Sequence, residues 1–241
     1  MTEGVEVVLL DIEGTTTPIA FVHEVLFPYA RTALGGFLDE CWSARDVQSA
    51  VTLLAAEYAA DSDVGATPPA WSVPPDIPSV DAYALWLMDR DRKSPGLKEL
   101  QGLIWKRGYR AGDLRGELFP DVPPAFTRWR ARGLRIAIYS SGSVLAQRLL
   151  FSTTPFGDLT SAIDAFFDTG VGAKVQRESY TRIAAALGAR PDAILFVSDV
   201  LAELYAARDA GLRPALSVRP GNTPTADVGA IPVVRSFEEL T

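Results

Sequence analysis

The stretch VVLLDIEGTTTP, residues 7–18, decides the fold of this chain, because a buried strand ends there on acidic side chains. A continuous apolar run before Asp11 is typical of a strand covered on both faces, as in a parallel sheet. Gly14 favours a turn directly after the strand, which would let Asp11 and Glu13 point toward one site. Taken alone, the pair could equally be solvated acids in a polar loop.

Further apolar runs recur along the chain, with helical patterns between them. The runs predict strands at 134–140, 164–169, 193–198 and 213–218, and the patterns predict helices at 144–151, 178–187 and 200–211. Ser143 is expected to cap the helix that follows it. Alternating strands and helices predict an α/β fold, a doubly wound Rossmann-like parallel sheet.

The segment between the first and second strands has a different character. Residues 21–118 show helical patterns, interrupted by a proline-rich connection at 61–80 that cannot continue a helix. We therefore predict an α/β core domain formed by residues 1–20 and 119–241. The helical cap domain, residues 21–118, is inserted into it.

Polar residues follow each of four predicted strands, and ligands bind beyond the carboxyl ends of strands in open α/β sheets. The first strand ends at Asp11, the second at Ser140 and Ser141, and Lys174 and Asp199 follow the next two. Each has a simpler explanation by itself, as a helix cap or a solvated side chain. Together they predict a magnesium-assisted phosphoryl-transfer site, because carboxylates bind hard cations while hydroxyl groups and a lysine bind phosphate.

Four short motifs carry a resemblance to a known family. DIEGTT, IYSSGS, GAK and FVSDV resemble, in order and spacing, the motifs of the haloacid dehalogenase-like phosphatases. The longer stretches LLDIEGTTTPIAFVHEVLFPYAR, DRKSPGLKELQGLIWKRGY and SVRPGN are similar to the bifunctional enolase-phosphatases of methionine salvage, the acireductone synthases. This similarity extends over residues 7–222. Glu13 stands where most of the superfamily has aspartate, as it does in the enolase-phosphatases.

The resemblance implies a substrate, two reaction steps and a set of roles. The family converts 2,3-diketo-5-methylthiopentyl-1-phosphate to its enol phosphate and then hydrolyses it to acireductone and phosphate. By motif position, Asp11 is the nucleophile, and Asp11, Glu13 and Asp199 surround Mg²⁺. Ser140, Ser141 and Lys174 bind the phosphate. We expect Glu13 to act as an acid and base, with His23 or Lys98 as alternative bases for enolisation.

Composition limits the alternatives. The chain has 241 residues, and 23 Lys and Arg against 30 Asp and Glu give a charge of −7, which does not favour nucleic acid. Cys41 is the single cysteine, which excludes a disulfide framework. We expect a cytoplasmic monomer with no membrane segment, acting on a small phosphate ester. Two alternatives stay open: a phosphatase for another ester, and a receiver-like or degenerate domain that binds metal without turnover.

Overall fold

The computed structural model describes residues 3–224 and 228–240. The chain divides into two compact units, one formed by residues 1–22 and 115–241 and the other by residues 23–114. The first is an α/β unit and the second is helical. The boundaries between the two domains predicted from the sequence are 20/21 and 118/119.

A parallel sheet forms the centre of the α/β unit. In the described residues it has six strands: β1 Val7–Leu10, β2 Arg135–Tyr139, β3 Ala165–Phe167, β4 Ile194–Ser198, β5 Arg213–Ser217 and β6 Val233–Val234. Their order is β3-β2-β1-β4-β5-β6, and every neighbouring pair is parallel. The chain runs first to one side of β1 and then to the other, so the switch point lies between β1 and β4. The predicted doubly wound α/β fold is confirmed.

Helices connect the strands and also make up the inserted unit. The described residues contain α1 Phe27–Cys41, α2 Arg45–Asp63, α3 Ile77–Met88, α4 Pro95–Ala111, α5 Val122–Ala131, α6 Val144–Ser152, α7 Arg177–Leu187 and α8 Leu201–Asp209. A π-helical segment, Phe21–Leu26, precedes α1. Within this described part of the chain, no helix is both long and apolar enough to cross a membrane.

One part of the core of the α/β unit lies between the sheet and helices α7 and α8. Side chains from β1, β2 and β4 pack there against the two helices, because strands covered on both faces have apolar residues at every position. Fully buried members include Leu9, Tyr139, Tyr180, Phe196 and Leu204. This packing fixes the strand ends, and with them the residues that follow each strand.

The helical unit is held together by close helix contacts and by buried aromatic residues. A Cβ at Gly96 would lie 2.8 Å from the Leu54 side chain, so glycine allows α4 to approach α2 closely. The Trp105 indole N–H donates to the Leu26 carbonyl at 2.8 Å. Trp105 and Tyr109 are both buried and pack in this unit.

Two features differ from the sequence prediction. The proline-rich connection is shorter than predicted, because α2 continues to Asp63 and α3 begins at Ile77. The Asp76 carboxylate accepts a hydrogen bond from the Ser79 N–H at 2.9 Å and caps α3, and a proline in the first turn does not break a helix. The sequence also missed β6, since two residues are too short for any periodic signal.

Candidate active site

The strand register brings three of the predicted residues to one edge of the sheet. Leu10 of β1 pairs with Ile138 of β2 and with Val197 of β4. Asp11 follows Leu10 directly, Ser140 follows the end of β2, and Asp199 follows the end of β4. Since the strands are parallel, all three residues leave the sheet at its carboxyl edge.

The Asp11 carboxylate is buried and surrounded by donors. Its Oδ1 accepts from the Ile12 N–H at 2.8 Å and lies 2.6 Å from the Lys174 Nζ. Its Oδ2 lies 3.2 Å from the Ser198 Oγ. These contacts hold a carboxylate in one orientation at the switch point, which is what a nucleophile requires.

Lys174 forms a second ion pair, with a residue that the sequence prediction did not include. Its Nζ lies 2.7 Å from the Glu203 Oε2, and only 6% of the Lys174 side chain is exposed. Burial by itself lowers the pKa of the ammonium group, but Asp11 and Glu203 outweigh that effect and the pKa is raised. Lys174 is therefore a charged, fixed cation beside Asp11, and its binding of phosphate stays a prediction.

The loop that carries Lys174 is fixed by hydroxyl groups from β2 and α7. The Tyr139 phenol donates to the Gly172 carbonyl at 2.9 Å, and the Tyr180 phenol donates to the Lys174 carbonyl at 2.6 Å. The Ser179 hydroxyl donates to the Ala173 carbonyl at 2.8 Å. Burial raises the pKa of both phenols, so they remain neutral donors.

Glu203 and Ser198 are the site residues that sequence reasoning missed. The Ser198 Oγ lies 2.9 Å from the Glu203 Oε2, so this hydroxyl, which has a single proton, connects Glu203 with Asp11. Burial, followed by the charge of Asp11, raises the pKa of Glu203. A signal was present: Glu203 follows Asp199 by four residues, one helical turn into the next predicted helix.

Asp199 does not act as an ordinary helix cap. The N-cap of α8 is Val200, and within the described part of the chain no side-chain hydrogen bond caps this helix. The Asp199 carboxylate instead lies against Gly14, where an added Cβ would collide with it. Gly14 also has a φ of +65°, so the residue after Glu13 must be glycine on both grounds. Burial and then the charge of Asp11 raise the pKa of Asp199 to about 7.

The remaining predicted residues lie in the loops after β1 and β2. The Ser140 Oγ is buried and accepts from the Gly142 N–H at 3.1 Å, which leaves its own proton to donate. Ser141 is exposed. Ser143 caps α6 by accepting from the Ala146 N–H, as predicted. Glu13 is half-buried in the loop after β1.

The carboxylates suit Mg²⁺, although they do not form a complete cage. Among the residues described, no three His, Cys, Asp or Glu side chains form a metal-binding group. Mg²⁺ is commonly held by one or two carboxylates together with substrate phosphate and water, and Asp11 and Asp199 are the two carboxylates predicted for this role. Burial raises the pKa of Asp199 most and the nearby charge of Asp11 adds to it, and a cation would offset both effects. Glu13 as a third ligand stays a prediction.

Comparison with known proteins decides the family. The haloacid dehalogenase-like hydrolase family matches residues 5–211. The Enolase-phosphatase E1 of Synechococcus elongatus is 50% identical over 237 residues, covering 98% of each chain. That of Drosophila persimilis is 48% identical over 231 residues, covering 92% of this chain and 88% of its own. The chain belongs to the enolase-phosphatases, within the haloacid dehalogenase-like hydrolases.

Solved structures agree with the enolase-phosphatase assignment at the level of fold. The UTR4 protein of Saccharomyces cerevisiae matches with a TM-score of 0.76 and 35% identity, over 97% of this chain and 99% of its own. CbbY from Rhodobacter sphaeroides, solved in complex with phosphate, matches with a TM-score of 0.60 and 19% identity, over 98% of this chain and 96% of its own. The second similarity supports the fold alone.

Proposed function

We propose that this enzyme is a bifunctional enolase-phosphatase of methionine salvage. It converts 2,3-diketo-5-methylthiopentyl-1-phosphate to the enol phosphate and then to acireductone, 1,2-dihydroxy-3-keto-5-methylthiopentene, and phosphate. The observation that carries the proposal is the buried Asp11 carboxylate at the switch point, 2.6 Å from the Lys174 Nζ. It occurs in a chain that is 50% identical to an Enolase-phosphatase E1 over nearly its whole length.

In the phosphatase step, Asp11 forms a bond to phosphorus as the bond from phosphorus to the enol oxygen breaks. Glu13 gives a proton to the leaving oxygen. Water then attacks the aspartyl-phosphate, Glu13 takes the proton from that water, and phosphate leaves with Asp11 restored. Ser140, Ser141 and Lys174 bind the phosphate oxygens, and the fixed charge of Lys174 stabilises the transition state.

The proposed cofactor is Mg²⁺, held by Asp11 and Asp199, with Glu13 as the predicted third ligand. When bound, it would neutralise charge on the transferring phosphoryl group and on the enolate. The support for it is the set of hard oxygen ligands and the local excess of negative charge. Among the described residues, three carboxylates of the site, on Asp11, Asp199 and Glu203, are accompanied by one ammonium group on Lys174.

In the enolase step, a base removes a proton from the carbon that carries the phosphate, next to a carbonyl. We propose Glu13 as this base, because it lies in the loop directly after the nucleophile. His23 and Lys98, both in the helical unit, are the alternatives; His23 is exposed and its ring lies 5.7 Å from that of Phe27. We also propose that the helical unit acts as a cap and recognises the methylthio chain, since the strand-end residues provide only polar groups.

The test follows both reactions in one sample. With the diketone phosphate in D₂O, NMR reports deuterium exchange at the α-carbon, and a phosphate assay reports hydrolysis. Glu13→Gln should slow both, whereas His23→Asn should slow neither. Exchange at the wild-type rate in Glu13→Gln would place the base in the helical unit.

A second substrate tests the two open alternatives. Release of phosphate from para-nitrophenyl phosphate, without acireductone from the diketone phosphate, would indicate a phosphatase for another ester. No phosphate from either compound in the presence of Mg²⁺ would indicate a binding domain.

A further inference from the structure

A loop after β5 contacts the loop that carries Glu13. We call residues 217–222 the clamp loop and residues 12–17 the site loop. The Gly14 carbonyl accepts hydrogen bonds from the Ser217 Oγ and the Asn222 Nδ2, each at 3.0 Å. The Thr15 carbonyl accepts from the Arg219 Nε at 3.2 Å. Two consecutive carbonyls of the site loop thus take their donors from three side chains of the clamp loop.

The clamp loop is itself held rigidly through Arg219. The Arg219 Nη1 lies 2.7 Å from the Asp121 Oδ2 and donates to the Arg235 carbonyl at 2.9 Å. The guanidinium group lies 4.7 Å from the Phe119 ring and 4.5 Å from the Phe237 ring. Only 4% of the Arg219 side chain is exposed. An arginine fixed by an ion pair and two aromatic faces gives its Nε a defined position.

The internal hydrogen bonds of the site loop do not fix its orientation. The N–H groups of Thr15, Thr16 and Thr17 all donate to the Ile12 carbonyl, at 3.2, 2.9 and 2.9 Å. This pattern folds the loop on itself but leaves its outward carbonyls to groups elsewhere in the chain. Besides the clamp loop, Phe119 contributes a backbone N–H to the Thr16 carbonyl at 3.0 Å.

The carbonyls that accept these hydrogen bonds belong to the two residues directly after Glu13, Gly14 and Thr15. Gly14 also lies against the Asp199 carboxylate. We infer that Ser217, Arg219 and Asn222 are positioning residues for the reaction: they act through the site loop to hold Glu13 and Gly14. This inference rests on the proposed function for its kinetic consequences. Its structural consequence, the fixed orientation of the site loop, does not depend on the substrate.

The test combines Ser217→Ala with Asn222→Ala, which removes both donors to Gly14. Hydrogen–deuterium exchange should be faster in the amides of residues 12–17. The kcat should fall about ten-fold with KM within about two-fold, because a small displacement of a catalytic group lowers the rate rather than the affinity. Two single variants complete the test. Ser217→Thr keeps the hydroxyl group, so its kcat should stay near the wild-type value, whereas the kcat of Ser217→Ala should be lower.

Arg128→Met provides a matched control. The Arg128 Nη2 donates to the Phe237 carbonyl at 2.9 Å, so this change removes one hydrogen bond from the same unit, keeps the Phe237 ring and removes no donor to the site loop. It should lower the melting temperature and leave both kcat and exchange in residues 12–17 unchanged. Equal exchange in the clamp variant and the wild type would overturn the inference, as would an equal loss of kcat in Arg128→Met.

A double-mutant cycle separates positioning from general loss of stability. In a Glu13→Gln background the clamp changes should cost little further rate, because the group they position is already gone. Fully additive losses would overturn the inference. The cycle uses para-nitrophenyl phosphate, and the exchange measurement needs no substrate. A wild type that fails only on the diketone phosphate would therefore contradict the proposed function and leave the positioning inference standing.

Discussion

The two units each contain a buried carboxylate with a basic partner, and the two clusters are built differently. In the helical unit, the Asp61 Oδ1 lies 2.7 Å from the Arg92 Nη2, and its Oδ2 accepts from the Tyr83 phenol at 2.9 Å. Each oxygen of Asp61 has one strong donor, and the Arg92 side chain is 48% exposed. In this cluster the negative charge of Asp61 is balanced by the positive charge of Arg92, whose side chain is partly in contact with water.

At the edge of the sheet, acids exceed bases. Lys174 is buried and lies within 2.7 Å of both Asp11 and Glu203. Burial, and after it the charge of the nearby Asp11, raises the pKa of Asp199. Burying unbalanced charge is costly, and folding alone gives no reason to retain it. The balanced cluster is thus what stability requires, whereas the unbalanced one supports the proposal of a site that binds a cation and transfers a phosphoryl group.

The largest effect on activity is expected from Asp11→Asn, at the edge of the sheet. An amide cannot attack phosphorus, so phosphate release should fall on the order of 10⁴-fold or more. The chain should still unfold cooperatively, since Lys174 keeps its pairing with Glu203. Phosphate release and a thermal melt in the same buffer measure both. Turnover within ten-fold of the wild type would remove Asp11 as the nucleophile.

Lys174→Met should affect activity and stability together. The kcat/KM should fall about 10²–10³-fold, as for the loss of one preorganised donor. The free energy of unfolding should fall by about 3–5 kcal/mol, because Asp11 and Glu203 lose their shared cation. Arg92→Met is the matched change in the helical unit. It should leave kcat/KM near the wild-type value, and equal kinetic losses in the two variants would end the distinction between the clusters.

Magnesium should stabilise one cluster and not the other. Mg²⁺ at about 100 times its Kd should raise the free energy of unfolding by about 2.7 kcal/mol, because it binds the folded state. In a chain of this length this corresponds to a rise of roughly 5–10 °C in the melting temperature. Asp199→Asn should abolish the rise, and Asp61→Asn should retain it. Calorimetry with and without Mg²⁺ provides the measurement, and a rise that persists in Asp199→Asn would remove Asp199 as a ligand.

The smallest effect is expected from Asp61→Asn. The oxygen of the new amide can still accept one hydrogen bond, but the negative charge that pairs with Arg92 is lost. The free energy of unfolding should therefore fall by about 1–2 kcal/mol. Activity at low temperature should stay within about two-fold of the wild type. Denaturant unfolding and phosphate release test this, and a kinetic loss without a loss of stability would assign Asp61 to catalysis.

Much of the fold could be predicted from sequence because its signals are local. Continuous apolar runs predict the five longer strands, and Ser143 and the Gly14 turn depend on a few neighbouring residues. The order of the strand-end residues Asp11, Ser140, Lys174 and Asp199 also follows from the alternation of strands and helices. Parallel strands have their carboxyl ends at one edge, so residues far apart in sequence could be expected to meet.

What only the tertiary structure decided is which groups touch. The spacing of Glu203 four residues after Asp199 does not reveal its pairing with Lys174, because that pairing depends on the packing of α8 against the sheet. The bonds from Ser217 and Asn222 to Gly14 span more than two hundred residues. Sequence patterns report the burial and conformation of each segment, because those depend on near neighbours. Hydrogen bonds and ion pairs between segments depend on distances of a few tenths of an ångström, which the packing of the whole unit sets.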